Sequence, residues 1–311
     1  MIDPVQVLWS PAGVTLESLG SQPWVDTPTS DGDTPKIRMP VRMLSVDTPE
    51  VTARSEKGAA RVDKEFEQLA EWIRKGIAPI SHGLAEYVLP KLETGKAGTL
   101  QYRQGKAASD FSRENMTARL KRPGKADRSL FIRVADTPFA PDNRLLAYLA
   151  PAYEKDELAT LTREQRATFN LDLVAAGWSP TFILYPAIPG ELDLPILLSA
   201  AEKAMTEQRG IWEEPATLLG YEYRAMEDLF DVTKKKVDED KKPEPDRKLR
   251  PADLRSWRER YCVDMRTRVL HGQEDWFRVD PVYRLWIWPQ DVSEAVARLN
   301  LTPSPRLVGA D

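Results

Sequence analysis

Val41-Arg42-Met43-Leu44-Ser45-Val46-Asp47-Thr48-Pro49-Glu50 is a short apolar run with one arginine that leads straight into an acidic turn. Pro49 fixes its own φ and biases Thr48 toward extended geometry, so Asp47 and Glu50 sit in a stiff bend. Arg42 on an otherwise apolar strand is costly unless it meets a carboxylate or a phosphate. The run reaches back to residue 36, and residues 36–46 read as one or two strands with Pro40 at an edge, a bulge or a turn. Upstream, Asp31-Gly32-Asp33-Thr34 puts two more carboxylates at a turn. If the two bends meet, their donors are all oxygen, which suits a hard cation such as Ca²⁺ or Mg²⁺. A third piece, Asp142-Asn143-Arg144-Leu145-Leu146-Ala147-Tyr148, carries an arginine at the start of a further strand. Taken singly, each piece has a plain reading: a turn, a strand-to-helix junction and a surface ion pair. Taken together, carboxylates, a hard cation and arginines supply what phosphodiester hydrolysis requires. Positive charge neutralises a pentacoordinate phosphorus, and a carboxylate activates or orients the water.

Composition narrows the chemistry further. The chain has 311 residues and is 41% hydrophobic, enough to bury a sizeable core. Its 44 Lys+Arg against 48 Asp+Glu exclude a uniformly basic nucleic-acid coat but leave room for a local basic groove. With one cysteine, Cys262, and two histidines, His82 and His271, neither an internal disulfide nor a zinc site built on several His or Cys ligands is available. No apolar run approaches the ~20 residues of a membrane span. The start shows no basic segment followed by an apolar one, so the expectation is a cytoplasmic protein without a readable secretory signal.

Outward from the decisive stretch, residues 58–75 predict a helix with Val62, Phe66, Leu69, Ala70 and Ile73 on one stripe and Gly76 as its stop. A weaker helical stretch spans about 79–92. Residues 101–128 are polar, with eight Lys/Arg against three Asp/Glu. They read either as a solvated loop or as a phosphate-attracting arm that includes Lys121 and Arg122. Strands return at 130–134 and 145–149. A helix is expected over about 162–176 from a Thr162-x-x-Gln165 capping pattern, then an extended segment at 181–185. Another helix opens with Asp193 as N-cap and ends at Gly210. Residues 233–250 are almost wholly charged and read as a linker or an exposed helix end. Beyond them, Trp257, Trp276, Trp286, Trp288 and their aromatic neighbours read as the core of a small appendage, or as a base-stacking surface.

The order and spacing of these pieces resemble the staphylococcal nuclease-like (thermonuclease) family. Residues 42–50 match its signature strand and turn, and Asp31-Gly32-Asp33-Thr34 lies where the family has its own upstream turn. Residues 142–148 resemble a later arginine-bearing strand, 170–177 a helix of the type N-x-x-L-V-x-x-G, and EKAMTEQRGIW, 202–212, its last helix. The similarity covers about residues 20–213. It implies an α+β fold: a five-stranded OB-fold-like β-barrel with packed helices in residues 1–215. To this are added an insertion at about 76–128 and a mainly helical C-terminal extension at 216–311. It implies Asp33, Asp47 and the carbonyl of Thr48 as Ca²⁺ ligands, with Asp31 supporting them. Glu50 would be general base, and Arg42 and Arg144 would grip the scissile phosphate, with Arg133 or Arg128 as alternatives to Arg144. Tyr185 falls near a family tyrosine that contacts the nucleotide.

The expectation is therefore a Ca²⁺- or Mg²⁺-dependent nuclease cleaving DNA or RNA, with no membrane partner. The C-terminal extension is a possible surface for a protein partner. The competing reading is an inactive OB-type module that binds nucleic acid or protein.

Overall fold

The computed structural model describes residues 22–25, 36–140, 142–241 and 249–308. The chain divides into two compact units. The smaller comprises residues 1–42 and 134–147, the larger residues 43–133 and 148–311. In the smaller unit β1 (Trp24–Val25) pairs antiparallel with β2 (Lys36–Ile37). A tight turn closes from Ala140 to Arg144, with Asn143 at φ 64° donating its N–H to the Ala140 carbonyl. The division falls within three strands, β3 (Val41–Met43), β5 (Leu130–Phe139) and β6 (Leu145–Pro151), which form a sheet in the order β3-β6-β5.

The larger unit is built on a six-stranded sheet. Its strands are β4 (Ser45–Val46), β7 (Thr181–Leu184), β8 (Tyr261–Asp264), β9 (Val269–His271), β10 (Arg284–Ile287) and β11 (Thr302–Pro303). The order is β11-β9-β8-β10-β7-β4, with β10 and β7 parallel and β4 antiparallel to β7. Both faces are covered, as the alternation of its strands requires. Cys262, Phe182 and Trp286 point into one core, while Val263, Ile183, Leu285 and Ile287 point into the other. Helices α1 (Glu56–Arg74), α2 (His82–Leu92) and α7 (Gly220–Asp240) fill the first core. The second takes α5 (Phe169–Ala175), α6 (Leu194–Thr206) and α9 (Val292–Leu299). The short helices α4 (Lys155–Thr160), α8 (Pro251–Leu254) and α10 (Pro305–Val308) cap loops. Among the described residues no helix is long and apolar enough to cross a membrane.

The α+β class is as expected, but the closed five-stranded barrel is not: the sheets are open rows. Closure fails because β7 gives one edge to β4 and the other to β10, a strand from the C-terminal segment. For the same reason the chain does not divide near residue 216, and residues 216–311 are not a mainly helical appendage. They supply four strands of the central sheet. The expected linker at 233–250 begins inside α7, which runs to Asp240. Trp276 and Trp286 are buried core residues, and Arg260 stacks over Trp288 at 4.2 Å, so the aromatic tail is packing. Cys262 is buried as well, and burial pushes its thiol up to about 12.

Residues 101–128 are not a loop. Helix α3 (Ala97–Leu120) occupies most of them and buries Ala97, Gly98, Gln101, Gln104, Gly105 and Ala108. Such a face of small and amide side chains carries no apolar stripe. The Thr162–Gln165 pair does make its reciprocal bonds, 2.8 and 3.3 Å, but closes a 3₁₀ turn. The helix proper, α5, starts later at a Thr168 cap. Asp193 precedes α6 without capping it, because Arg163 draws its carboxylate away at 2.6 Å.

One buried ionic cluster ties these layers together. Glu222 of α7 accepts from Lys91 of α2 at 2.7 Å and from Arg284 of β10 at 3.2 Å. Burial opposes its charge, but Lys91 and Arg284 outweigh that and hold its pKa below the usual glutamate value. Replacing Glu222 by alanine strands two buried cations and is expected to cost about 3–5 kcal/mol of stability. Urea denaturation measures this, and a loss below ~1 kcal/mol, the scale of a surface pair, would contradict the reading.

Candidate functional site

The site is built around the bend after β4. Ser45, at φ 60°, turns the chain so that Val46 enters the core and Asp47 follows it inward. Ser45 Oγ and Tyr148 Oη lie 2.7 Å apart. Asn170 of α5 donates to the Leu44 carbonyl at 2.8 Å and accepts from the Leu149 N–H at 3.0 Å, pinning this bend to β6. The Asp47 N–H donates to Ser179 Oγ at 2.7 Å.

Two helices close on the bend at glycines. A Cβ at Gly105 of α3 would stand 2.7 Å from the Pro49 carbonyl oxygen. One at Gly220, the first residue of α7, would stand 2.6 Å from Asp47 Oδ2 and 2.9 Å from the Thr48 carbonyl oxygen. Any side chain there would force the helices off the turn. Gln101 of α3 completes the enclosure: with its amide in the orientation that satisfies both neighbours, it accepts from the Glu50 N–H and donates to the Leu218 carbonyl, both at 2.9 Å.

The two carboxylates of the turn converge on one positive centre, Arg224 of α7. Its Nη2 donates to both Asp47 oxygens, at 3.1 and 2.9 Å, and its Nη1 donates to Glu50 Oε1. Burial works against the guanidinium charge, but Asp47 and Glu50 outweigh it and hold its pKa above the ordinary arginine value. The three side chains differ in access: Asp47 is 0% exposed, Glu50 25% and Arg224 31%. Beside them α7 carries Tyr223, hydrogen-bonded to Thr52 and Glu227. Burial, with help from Glu50 and Asp228, lifts the Glu227 pKa to about 7 against the Tyr223 hydrogen bond that lowers it.

The other residues singled out in the sequence are distributed as follows. Asp31 and Asp33 lie outside the described residues. Asp47, Thr48 and Glu50 belong to the larger unit, Arg42 and Arg144 to the smaller. Arg42 is half-buried on β3. Arg144 is held by Asp142, two residues earlier, at 2.6 Å. Tyr185 is buried in the second core, its hydroxyl 3.2 Å from Glu294. Lys121 is exposed at the end of α3, and Arg122 is ion-paired with Glu154. Arg128, an alternative phosphate ligand, is taken by Glu157 at 2.5 Å, while Arg133 is exposed.

Whether this set fits a divalent cation follows from its charges. Asp47, Glu50 and the Thr48 carbonyl are hard oxygen donors. The positive charge among them, however, is already Arg224, and the wholly buried Asp47 accepts from it with both oxygens. Among the described residues no three His, Cys, Asp or Glu side chains gather as metal ligands. As arranged, the described residues fit a guanidinium and not a bound Ca²⁺. No protein-family model matches this chain, and no curated protein matches it either.

Arg224, Tyr223 and Glu227 are the site residues missed in the sequence. The available signal was a helix with Glu222, Arg224, Glu227 and Asp228 at spacings that put the last three on one face. The folded chain keeps the Glu227 proton between its ordinary pKa of 4.5 and about 7, whereas the unfolded chain releases it. Stability contributed by this group therefore falls as pH rises through that window and stays low above it. Glu227→Gln cannot ionise and is expected to gain stability over the wild type at pH 8 but not at pH 4. Thermal melts at the two pH values check this, and parallel pH slopes in both proteins would refute it.

Proposed function

We propose that this chain is a phosphodiesterase acting on DNA or RNA, with Glu50 as the general base. What supports the reading is the convergence of Asp47 and Glu50, from one proline-stiffened turn, on a single cationic centre, with unequal access to solvent. Asp47 is sealed and serves as the anchor, and Glu50 is the carboxylate that water and substrate can reach. A carboxylate so placed can take a proton from an attacking water. Arg42, five positions before Asp47, and Arg144 are the guanidiniums that the family resemblance assigns to the phosphate. The reading is of a cytoplasmic enzyme, and the hard cation belongs to its test.

The ion pair on Glu50 favours a second reading, nucleic-acid binding without hydrolysis, because Arg224 already occupies Glu50 Oε1, an oxygen that would have to meet the attacking water. Incubation of single-stranded DNA and of RNA with the protein in Ca²⁺, in Mg²⁺ and in excess EDTA separates the two. The hydrolytic reading expects cleavage in at least one metal and a turnover about two to four decades lower in Glu50→Gln, with binding retained. Binding without cleavage in either metal would establish the second reading, and unchanged turnover in Glu50→Gln would remove Glu50 from the chemistry.

A further inference from the structure

We propose that the open edge of β5 at residues 129–133 is a dimer interface, on which a second copy of this chain pairs antiparallel about a two-fold axis. The inference is independent of the hydrolytic reading.

The stretch is Ser129-Leu130-Phe131-Ile132-Arg133, all within the larger unit. β5 is the last strand of its sheet, and the Ser129 carbonyl accepts from the Ala152 N–H at 2.9 Å, just beyond β6. Among the described residues no further strand pairs with β5. Successive side chains of a strand point to opposite faces. Here three successive ones are exposed, Leu130 by 38%, Phe131 by 53% and Ile132 by 45%, so neither face is packed. The other exposed large apolar residues of this unit, Val51, Leu158, Leu192 and Val308, stand singly. An apolar strand edge open on both faces invites another strand, and natural proteins guard such edges with charge or proline. Residues 129–132 carry neither.

The order of residues along this edge suits its own copy. With Phe131 on a two-fold axis, Phe131 meets its counterpart, Leu130 meets Ile132, and Ser129 meets Arg133. With Ile132 on the axis, Ile132 meets its counterpart and the Phe131 ring meets the Arg133 guanidinium. In both registers the one charge of the stretch lies opposite an uncharged residue, so like charges do not meet. A nucleic-acid strand is the poorer occupant. It needs several cations beside its stacking rings, and the stretch has only Arg133, whose charge already acts on Asp193 together with Arg163. Three apolar side chains per copy make a small contact, at the low end of specific interfaces near ~1,200 Å², so association is expected to be reversible and micromolar or weaker.

Sedimentation equilibrium of the full chain, from micromolar to near-millimolar concentration, tests the pairing. The wild type is expected to pass reversibly from monomer to dimer. Ile132→Lys sets a charge in the pairing edge and should weaken the dimer at least about tenfold. If that variant folds poorly by circular dichroism, Phe131→Ser takes its place. Mild oxidation of Phe131→Cys and of Ile132→Cys is expected to trap a disulfide-linked dimer in at least one of them, because a residue on the axis stands within disulfide reach of its counterpart. Leu158→Cys, 43% exposed at the native residue, should trap none, and the buried Cys262 does not compete. A chain that stays monomeric at every concentration overturns the proposal, as does a dimer that Ile132→Lys and Phe131→Ser both leave intact. Failure of both edge cysteines to cross-link overturns the two-fold pairing. A monomer that binds single-stranded DNA, and loses it in Phe131→Ser, gives the edge to nucleic acid and overturns the proposal too.

Discussion

A carboxylate with no access to water must be matched by a cation, and Asp47 is such a carboxylate. One such cation comes from α7, where Arg224 donates to both Asp47 oxygens. Gly220 lets the start of α7 press against the turn, and Arg224, one helical turn later, closes over Asp47 and Glu50.

Three successive residues of that helix serve three directions, as a rotation of about 100° per residue dictates. Glu222 goes to Lys91 and Arg284 and ties α7 to α2 and the central sheet. Tyr223 packs edge-on against Phe66 of α1, ring centres 5.3 Å apart. Arg224 goes to the acidic turn. The ionic core and the candidate site thus share one helix, through three successive residues. Arg284 itself sits among aromatic faces, 5.2 Å from the Trp276 ring, which shields its pairing with Glu222 from solvent.

What was legible in the sequence was local. The stripe Val62, Phe66, Leu69, Ala70 and Ile73 describes the buried face of α1, with Gly76 just beyond its end at φ 67°. The stiffness of Asp47-Thr48-Pro49-Glu50 anticipates two carboxylates aimed at one place. What was illegible was long-range or written in the wrong alphabet. Helix α3 hides because Gly98, Gln101, Gly105 and Ala108 bury it by closeness and amide bonding and not by greasy bulk. Arg224 hides because its partner Asp47 is 177 positions away and an expected boundary near 216 put the two in separate parts. The barrel expectation failed at one strand, β7, whose parallel partner β10 is set by nothing in the strand's own residues.

That pairing has a consequence for how the protein is made. About a hundred residues separate β7 from β10, and a ribosome adds roughly 5–20 residues each second. For some seconds after β7 leaves the exit tunnel, one of its edges has no native neighbour, and Phe182 and Ile183 wait for the second half of their surroundings. The nascent chain must stay soluble through that interval, so its dependence on holding chaperones should peak between emergence of the two strands and vanish once residue 287 is clear.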